Sequence, residues 1–192
     1  MIDNFTEIYN HVLAILNAKL PSYLTYHNTN HTLYILENAI YIAHKENVSK
    51  PDLYLLKIAA LFHDTGFIYS YDTHEEKSCE IAKNELKKFN VSNEDISTIC
   101  NIIRATKVPQ NPKTLLENIL ADADLEYLAT TNFKKVGDKL FEELKHFKPQ
   151  TTRKKWNATQ IKFIKNHHYH TSFCKHYKEH RKQKNLNLLL KL

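Results

Sequence analysis

The sequence predicts an all-α protein that forms a single-domain helical bundle over residues 1–192. Only two glycines and five prolines occur in the chain, too few for a turn-rich β protein. Apolar residues recur at helical spacing along most of its length, and helix-start patterns such as Ser49-x-x-Asp52 and Ser92-x-x-Asp95 precede them. The composition, 42% hydrophobic and 25% charged, is that of a globular domain large enough to bury a core.

Composition and charge also limit the expected location of the protein and the kinds of partner it binds. No run approaches the ~18–20 apolar residues of a membrane span, and the N-terminus has no signal pattern, so we expect a cytoplasmic protein without a membrane partner. Three cysteines without a CxxC pair indicate reduced thiols. The formal net charge is +6, and much of it lies after residue 144, which favours anionic partners such as phosphate esters, nucleotides or nucleic acid.

The first three predicted helices bring histidines to helix ends. The first is a packing helix closed by Pro21. The second is capped by Thr29 or Asn30, which places His31 in its first turn and His27 in the polar loop before it. The third is apolar nearly all round, so we expect it at the centre of the bundle.

The third helix ends abruptly in His63-Asp64, with Gly66 as a helix-stop signal. In the simplest interpretation the pair is only a helix-terminal ion pair. Burying a carboxylate beside an imidazole at the end of a core helix is costly, however, unless something compensates the charge. A bound metal ion is the commonest compensation for these two residue types.

The fourth and fifth helices carry candidate anion-binding groups. His74 and Glu75 fall at the start of the fourth helix, where free N–H groups attract anions. Arg104 and Lys107 lie one turn apart at the end of the fifth helix. These two cations belong either to a solvated basic face or to a phosphate site.

The sixth helix, expected to begin at Pro112, holds two acids, Asp122 and Asp124, among apolar residues. They are two residues apart and point away from each other, so we expect only one of them in any given site, and helix geometry does not choose between them. An amphipathic helix follows over 132–147. A basic extension over 151–192 carries five histidines, which we interpret as a solvated basic helix rather than a second metal site.

Together these residues predict a metal site built by three helices. His31, the His63-Asp64 pair and one aspartate near 122–124 offer nitrogen and oxygen ligands to one divalent ion, which could be Mn, Fe, Zn, Ni, Co or Mg.

The pattern H…HD…D resembles that of the HD superfamily of metal-dependent phosphohydrolases, which are all-α proteins. The resemblance covers about residues 26–128. Tyr26–His31 is similar to the YHNxxH segment of cyclic nucleotide phosphodiesterases, and Ala59–Asp64 is similar to the segment that supplies the next two ligands. In the family this helix usually reads Ala-Asp, with an apolar residue five positions after the aspartate. Asp122, which is followed by Tyr127 and Leu128, matches that pattern better than Asp124 does. The resemblance therefore implies an HD-type domain with four metal ligands: His31, His63, Asp64 and Asp122.

The resemblance also implies a function, the metal-dependent hydrolysis of a phosphate ester such as a nucleotide or cyclic nucleotide by metal-activated water. In that function Asp64 binds the ion and orients the water, and His27 protonates the leaving oxygen. Four residues are candidates for substrate binding: His74, Glu75, Arg104 and Lys107.

Two alternatives from other classes remain. A non-catalytic metal- or nucleotide-binding sensor would bind metal but turn over no phosphate ester. A nucleic-acid-binding protein that uses the basic C-terminal helix would bind in a strongly salt-dependent way without the metal ligands. No named nucleic-acid motif occurs in the sequence, so this is the less favoured alternative.

Overall fold

The computed structural model describes residues 4–191, which form ten α-helices and three short 3-10 turns without a β-strand. The α-helices in chain order are α1 Phe5–Lys19, α2 Thr29–Lys45, α3 Lys50–Phe62, α4 His74–Leu86, α5 Asn93–Arg104, α6 Leu115–Asp124, α7 Phe133–Phe147, α8 Arg153–Asn166, α9 Ser172–Tyr177 and α10 Glu179–Leu189. The 3-10 turns are Thr65–Ile68, Lys87–Phe89 and Glu126–Ala129. The all-α prediction is confirmed. Within the described residues, every helix is too short or too polar to cross a bilayer.

Helix α3 lies at the centre of the bundle, as its apolar sequence predicts. It packs against α1, α2, α4, α5 and α6, and Ile58–Phe62 is completely buried. Each large apolar side chain buried in this way stabilises the fold by about 1.5–3 kcal/mol. The C-terminal end of this rigid helix therefore gives a fixed position to the residues that follow it, His63 and Asp64.

Side-chain caps fix where several helices begin. Ser49 Oγ accepts a hydrogen bond from the Asp52 backbone N–H at the start of α3, as expected. At α2 the cap is Asn28 rather than Thr29 or Asn30. Asn28 Oδ1 accepts from the backbone N–H groups of Asn30 at 3.0 Å and His31 at 3.3 Å, which satisfies two otherwise unpaired donors.

Helix α6 begins later than the sequence predicts. The expected start was Pro112, but the helix begins at Leu115 with Thr114 as its cap, because Thr114 Oγ1 accepts from the Glu117 backbone N–H at 3.3 Å. The predicted amphipathic helix over 132–147 is observed as α7, which begins at Phe133.

The basic C-terminal extension is not one solvated helix. It folds back as α8, α9 and α10, and α10 packs on the 3-10 turn Glu126–Ala129. His167, Tyr169 and Lys182 are buried in this region, and the Lys182 ammonium donates to the His167 carbonyl oxygen at 2.6 Å. His168, His176 and His180 are exposed, as a solvated basic face requires.

Candidate metal centre

Four side chains converge where α2, α3 and α6 meet. His31 lies in the first turn of α2, His63 and Asp64 follow the last turn of α3, and Asp124 is the last residue of α6. Asp64 Oδ2 lies 3.2 Å from His31 Nε2 and 3.1 Å from His63 Nε2. Asp124 Oδ1 lies 3.4 Å and 3.7 Å from the same two nitrogens. His31, the His63-Asp64 pair and Asp124 are far apart in the sequence, and the fold brings them together.

The atoms at the centre of this group lack hydrogen-bond partners. His31 Nε2, His63 Nε2 and Asp64 Oδ2 are buried and make no hydrogen bond to any described residue. His63 Nδ1 lies 2.8 Å from the Ala60 carbonyl oxygen, which only accepts, so the ring proton is assigned to Nδ1 and Nε2 keeps its lone pair. Lone pairs that face one point repel each other unless a cation or a proton lies among them.

This donor set fits a divalent metal ion. One ligand atom from each of His31, His63 and Asp124 lies within 4.8 Å of the other two, and Asp64 Oδ2 adds a carboxylate oxygen beside both imidazoles. Imidazole nitrogens and carboxylate oxygens are ligands that Mn, Fe, Zn and Ni accept in proteins.

The charges of the four groups shift one another's pKa values. Burial by itself would lower the pKa of His31 and His63, but the two carboxylates raise both pKa values above the ordinary histidine value. Burial would raise the pKa of the carboxyls, but the imidazoles bring the pKa of Asp64 well below the ordinary aspartate value and the pKa of Asp124 to about 2. The group therefore keeps its carboxylates ionised and favours positive charge at its centre.

Asp122, the fourth ligand chosen from the sequence, lies away from this group, and Asp124 takes the place expected of it. Asp122 Oδ1 accepts from the His170 backbone N–H at 2.8 Å, and Oδ2 accepts from the Thr171 backbone N–H at 2.8 Å and its hydroxyl at 2.7 Å. The two acids point to opposite sides of α6 because they are two residues apart. The choice of Asp122 is therefore corrected to Asp124.

The turn after His63-Asp64 docks directly on the start of α4. Gly66 N–H donates to Ser78 Oγ at 2.8 Å, and the Ser78 hydroxyl donates to the His63 carbonyl oxygen at 2.7 Å. A Cβ atom on Gly66 would lie 1.9 Å from the His74 carbonyl oxygen and 2.7 Å from the Ser78 nitrogen, which no side chain allows. This close approach holds the first turn of α4 beside the metal centre.

His74 and Glu75 consequently lie next to Asp64. His74 Nε2 is 3.8 Å from Asp64 Oδ1 and 3.6 Å from Glu75 Oε1. Glu75 is buried, and its Oε2 makes no hydrogen bond to a described residue. The expected role of Glu75 in substrate binding stays a prediction. In the structure its carboxylate lies beside the imidazole of His74.

Arg104 and Lys107 are not brought to this group by any described contact. Arg104 Nε donates to the two Glu76 carboxylate oxygens at 3.0 and 3.1 Å on the exposed edge between α4 and α5. Lys107 is exposed and forms no ion pair with a described residue. Of the two interpretations left open by the sequence, the solvated basic face is the one that describes Arg104, since a surface carboxylate already occupies its guanidinium.

His27 approaches the metal centre without joining its ligand atoms. Its ring centroid lies 5.6 Å from that of His31, and its ring stacks on Phe67 at 4.2 Å. His27 Nδ1 pairs with Glu143 Oε1, while Glu143 Oε2 accepts from the Tyr26 and His27 backbone N–H groups at 2.9 and 3.1 Å. Burial would raise the Glu143 pKa, but these hydrogen bonds lower it below the ordinary glutamate value. Glu143 thus fixes both the backbone and the ring of His27.

Glu143 was missed by the sequence reasoning, although a signal for it exists. Val136, Leu140, Glu143 and Phe147 follow the spacing of one helix face, so an acid stands in the apolar stripe of α7. Its side chain is 1% exposed. A buried acid in such a stripe indicates a partner on another element, which here is the loop before α2.

Comparison with known proteins agrees with this geometry. Residues 28–126, more than half of the chain, match the sequence profile of the HD domain. A crystal structure of a predicted HD superfamily hydrolase from an uncultured Thermotogales bacterium has a TM-score of 0.64 and 20% identity, over 95% of this chain and 89% of that one, and so shares the fold. Among curated proteins, none matches the sequence. The profile match includes all four converging side chains, and the chain belongs to the HD domain family.

Proposed function

We propose that this protein is a metal-dependent phosphohydrolase that cleaves a phosphate ester, with nucleotides and cyclic nucleotides as the first substrates to test. The observation that supports it is the convergence of His31, His63, Asp64 and Asp124 with three buried ligand atoms that have no partner in the described residues. A divalent ion held there would supply an activated water and polarise a phosphoryl oxygen.

In this proposal the two carboxylates have different tasks. Asp124, the two histidines and Asp64 Oδ2 would hold the ion. Asp64 Oδ1 faces His74 at 3.8 Å and can accept a hydrogen bond from a water molecule. Such a bond orients the water toward the phosphorus atom.

His27 is the proposed general acid. Its Nδ1 is occupied by Glu143, so Nε2 is the nitrogen that can donate to the leaving oxygen. Glu143 also holds the ring in place, because it accepts from the Tyr26 and His27 backbone N–H groups as well. General acid catalysis by a positioned side chain contributes about 10²–10⁴-fold to the rate.

Metal analysis of the purified protein together with hydrolysis of p-nitrophenyl phosphate and bis(p-nitrophenyl) phosphate tests the proposal. We expect His63→Ala and Asp64→Ala to lose bound metal and turnover together. His27→Ala should keep the metal and lose about 10²–10⁴-fold in rate. His176→Ala, which removes an exposed histidine of α9, is the matched control and should change neither quantity.

Two results would contradict the proposal. Stoichiometric metal without hydrolysis of any ester in a panel of nucleotides and cyclic nucleotides would favour the non-catalytic sensor. Loss of the metal in His27→Ala would show that His27 is a ligand and not the acid.

A further inference from the structure

A cavity of about 210 Å³ adjoins the metal centre at His31. Its walls come from the loop before α2, the first turns of α2, the segment after α6 and one face of α7. The lining residues are Tyr26, Asn28, Asn30, His31, Tyr34, Tyr127, Thr130, Asn132, Lys135, Val136 and Lys139. His31, one of the four converging residues, forms part of the wall, so the cavity borders the candidate metal centre on that side.

Four exposed polar side chains of the cavity wall make no hydrogen bond or ion pair to a described residue: Asn30, Asn132, Lys135 and Lys139. Asn28 differs, because its amide already caps α2 and donates to the Thr25 carbonyl oxygen. Amide N–H and ammonium groups are donors, so this wall is suited to a ligand rich in acceptors.

Lys135 and Lys139 place two positive charges on the cavity side of α7. They are four residues apart and lie on one face, where like charges repel. Lys145 Nζ lies 3.6 Å from a Glu142 carboxylate oxygen and Arg153 pairs with Asp138 at 2.7 Å, whereas Lys135 and Lys139 form no ion pair with a described residue. An anion bound between Lys135 and Lys139 would relieve their repulsion.

Three tyrosines also line the cavity. The Tyr26 ring lies 4.3 Å from the His31 ring and 5.9 Å from the Tyr127 ring, measured between centroids. Tyr34 is 39% exposed, and its hydroxyl donates to Glu126, which also pairs with Lys178. The Tyr34 side chain is therefore held in place while part of it stays accessible, and aromatic rings of this kind can stack with nucleobases.

We propose that this cavity binds a nucleoside bisphosphate, with one phosphate at the metal centre and the second phosphate held by Lys135 and Lys139. The inference rests on the proposed function only for the phosphate that is cleaved. A mononucleotide places its one phosphate at the metal centre and leaves the lysine pair uncompensated. The tyrosine rings and the free amides of Asn30 and Asn132 then face the nucleoside.

Isothermal titration of adenosine 3′,5′-bisphosphate and adenosine 5′-monophosphate, in the presence of Mn²⁺ at fixed ionic strength, tests the inference. We expect the bisphosphate to bind about 10- to 100-fold more tightly, as charge-assisted hydrogen bonds to a second phosphate imply. The double variant Lys135→Ala/Lys139→Ala should remove this preference and leave the affinity for the monophosphate nearly unchanged.

Lys134→Ala is the matched control, because Lys134 is an exposed, unpaired lysine of the same helix that does not line the cavity. It should keep the preference for the bisphosphate. Equal affinity of the wild type for both nucleotides would overturn the inference, and so would an equal loss in Lys134→Ala. Selective binding of the bisphosphate without hydrolysis of any ester would sustain this inference while contradicting the proposed function.

Discussion

Asp122 and Asp124 lie on the same turn of α6, the first buried and the second partly buried, yet they face two different regions of the molecule. On the C-terminal side, Asp122 accepts three hydrogen bonds from His170 and Thr171. On the metal-centre side, Asp124 faces His31 and His63, whose Nε2 atoms have no hydrogen-bond partner in residues 4–191. Two acids of one helix thus differ in their partners: the protein's own donors satisfy Asp122, whereas Asp124 lies beside imidazole nitrogens that could share a cation with it.

The two regions also differ in their electrostatics. Burial raises the pKa of Asp122 above the ordinary value despite its hydrogen bonds, whereas the imidazoles bring the pKa of Asp124 to about 2. The acid satisfied by neutral backbone groups is therefore the easier one to protonate. The difference teaches that complete hydrogen bonding and a low pKa are separate properties of a buried carboxylate.

The largest expected effect is a difference in bound metal between variants of the two aspartates. Asp124→Asn removes a charged ligand atom, so we expect the affinity for Mn²⁺ to fall by at least the ~100-fold that loss of an outer-shell partner can cost, with turnover falling alongside. Asp122→Asn should retain the metal. Elemental analysis and Mn²⁺ titration of both variants measure this, and the opposite ranking would break the comparison.

Substitution of Asp122, rather than of Asp124, should have the larger effect on the stability of the fold. Asp122→Ala leaves two backbone N–H groups and a hydroxyl buried without an acceptor, so we expect a loss of about 2–4 kcal/mol in the free energy of unfolding. Urea denaturation followed by circular dichroism measures it. A change under about 0.5 kcal/mol, typical of a surface substitution, would show that water satisfies these donors.

Acid sensitivity should also differ between the regions. Burial, followed by the charge of Lys182, lowers the pKa of His167 to about 3. Between about 3 and the ordinary 6.5 the unfolded chain binds the proton and the folded protein does not, so stability rises with pH and is lost as pH falls through this window.

We therefore expect the wild type to lose at most roughly 2 kcal/mol more than His167→Gln between pH 7 and pH 5. Urea denaturation at both pH values gives the difference. His31 and His63 respond with the opposite sign, because their raised pKa values in the folded protein favour proton binding, and stability from them is lost as pH rises. Equal losses in wild type and variant would mean that His167 is protonated in the folded protein.

The smallest effect concerns one hydroxyl. Thr171→Val removes a hydrogen bond to Asp122 Oδ2 and the cap that accepts from the Cys174 backbone N–H at 3.2 Å, so we expect a loss of about 1–2 kcal/mol with the metal retained. Thr98→Val is the control, since the Thr98 hydroxyl donates to the Glu94 carbonyl oxygen of its own helix at a solvent-exposed position. Equal destabilisation of both variants would contradict the role of Thr171.

Much of the fold was predictable because it depends on local patterns. The apolar run that ends in His63-Asp64 predicts a central helix, and Ser49 and Ser92 predict where α3 and α5 begin. The sequence also singled out His31 and His63, which the structure brings together, because each stands beside a strong helix boundary signal.

The rest depends on contacts between distant segments. The choice between Asp122 and Asp124 is a choice between two sides of α6, and only the packing of the C-terminal region against one side decides it. Burial of His167 and Lys182 follows from the same packing, since the Lys182 ammonium donates to the His167 carbonyl oxygen at 2.6 Å. No local sequence pattern within α8–α10 predicts that this region packs back against α6.

The close contact at Gly66 limits how the four converging residues could be engineered into another protein. Backbone atoms of His74 and Ser78 occupy the space that a side chain at position 66 would need. Residues 63–66 and 74–78 therefore have to be transferred together. If residues 63–66 were moved alone, they would lose the contacts with His74 and Ser78 that hold their backbone conformation.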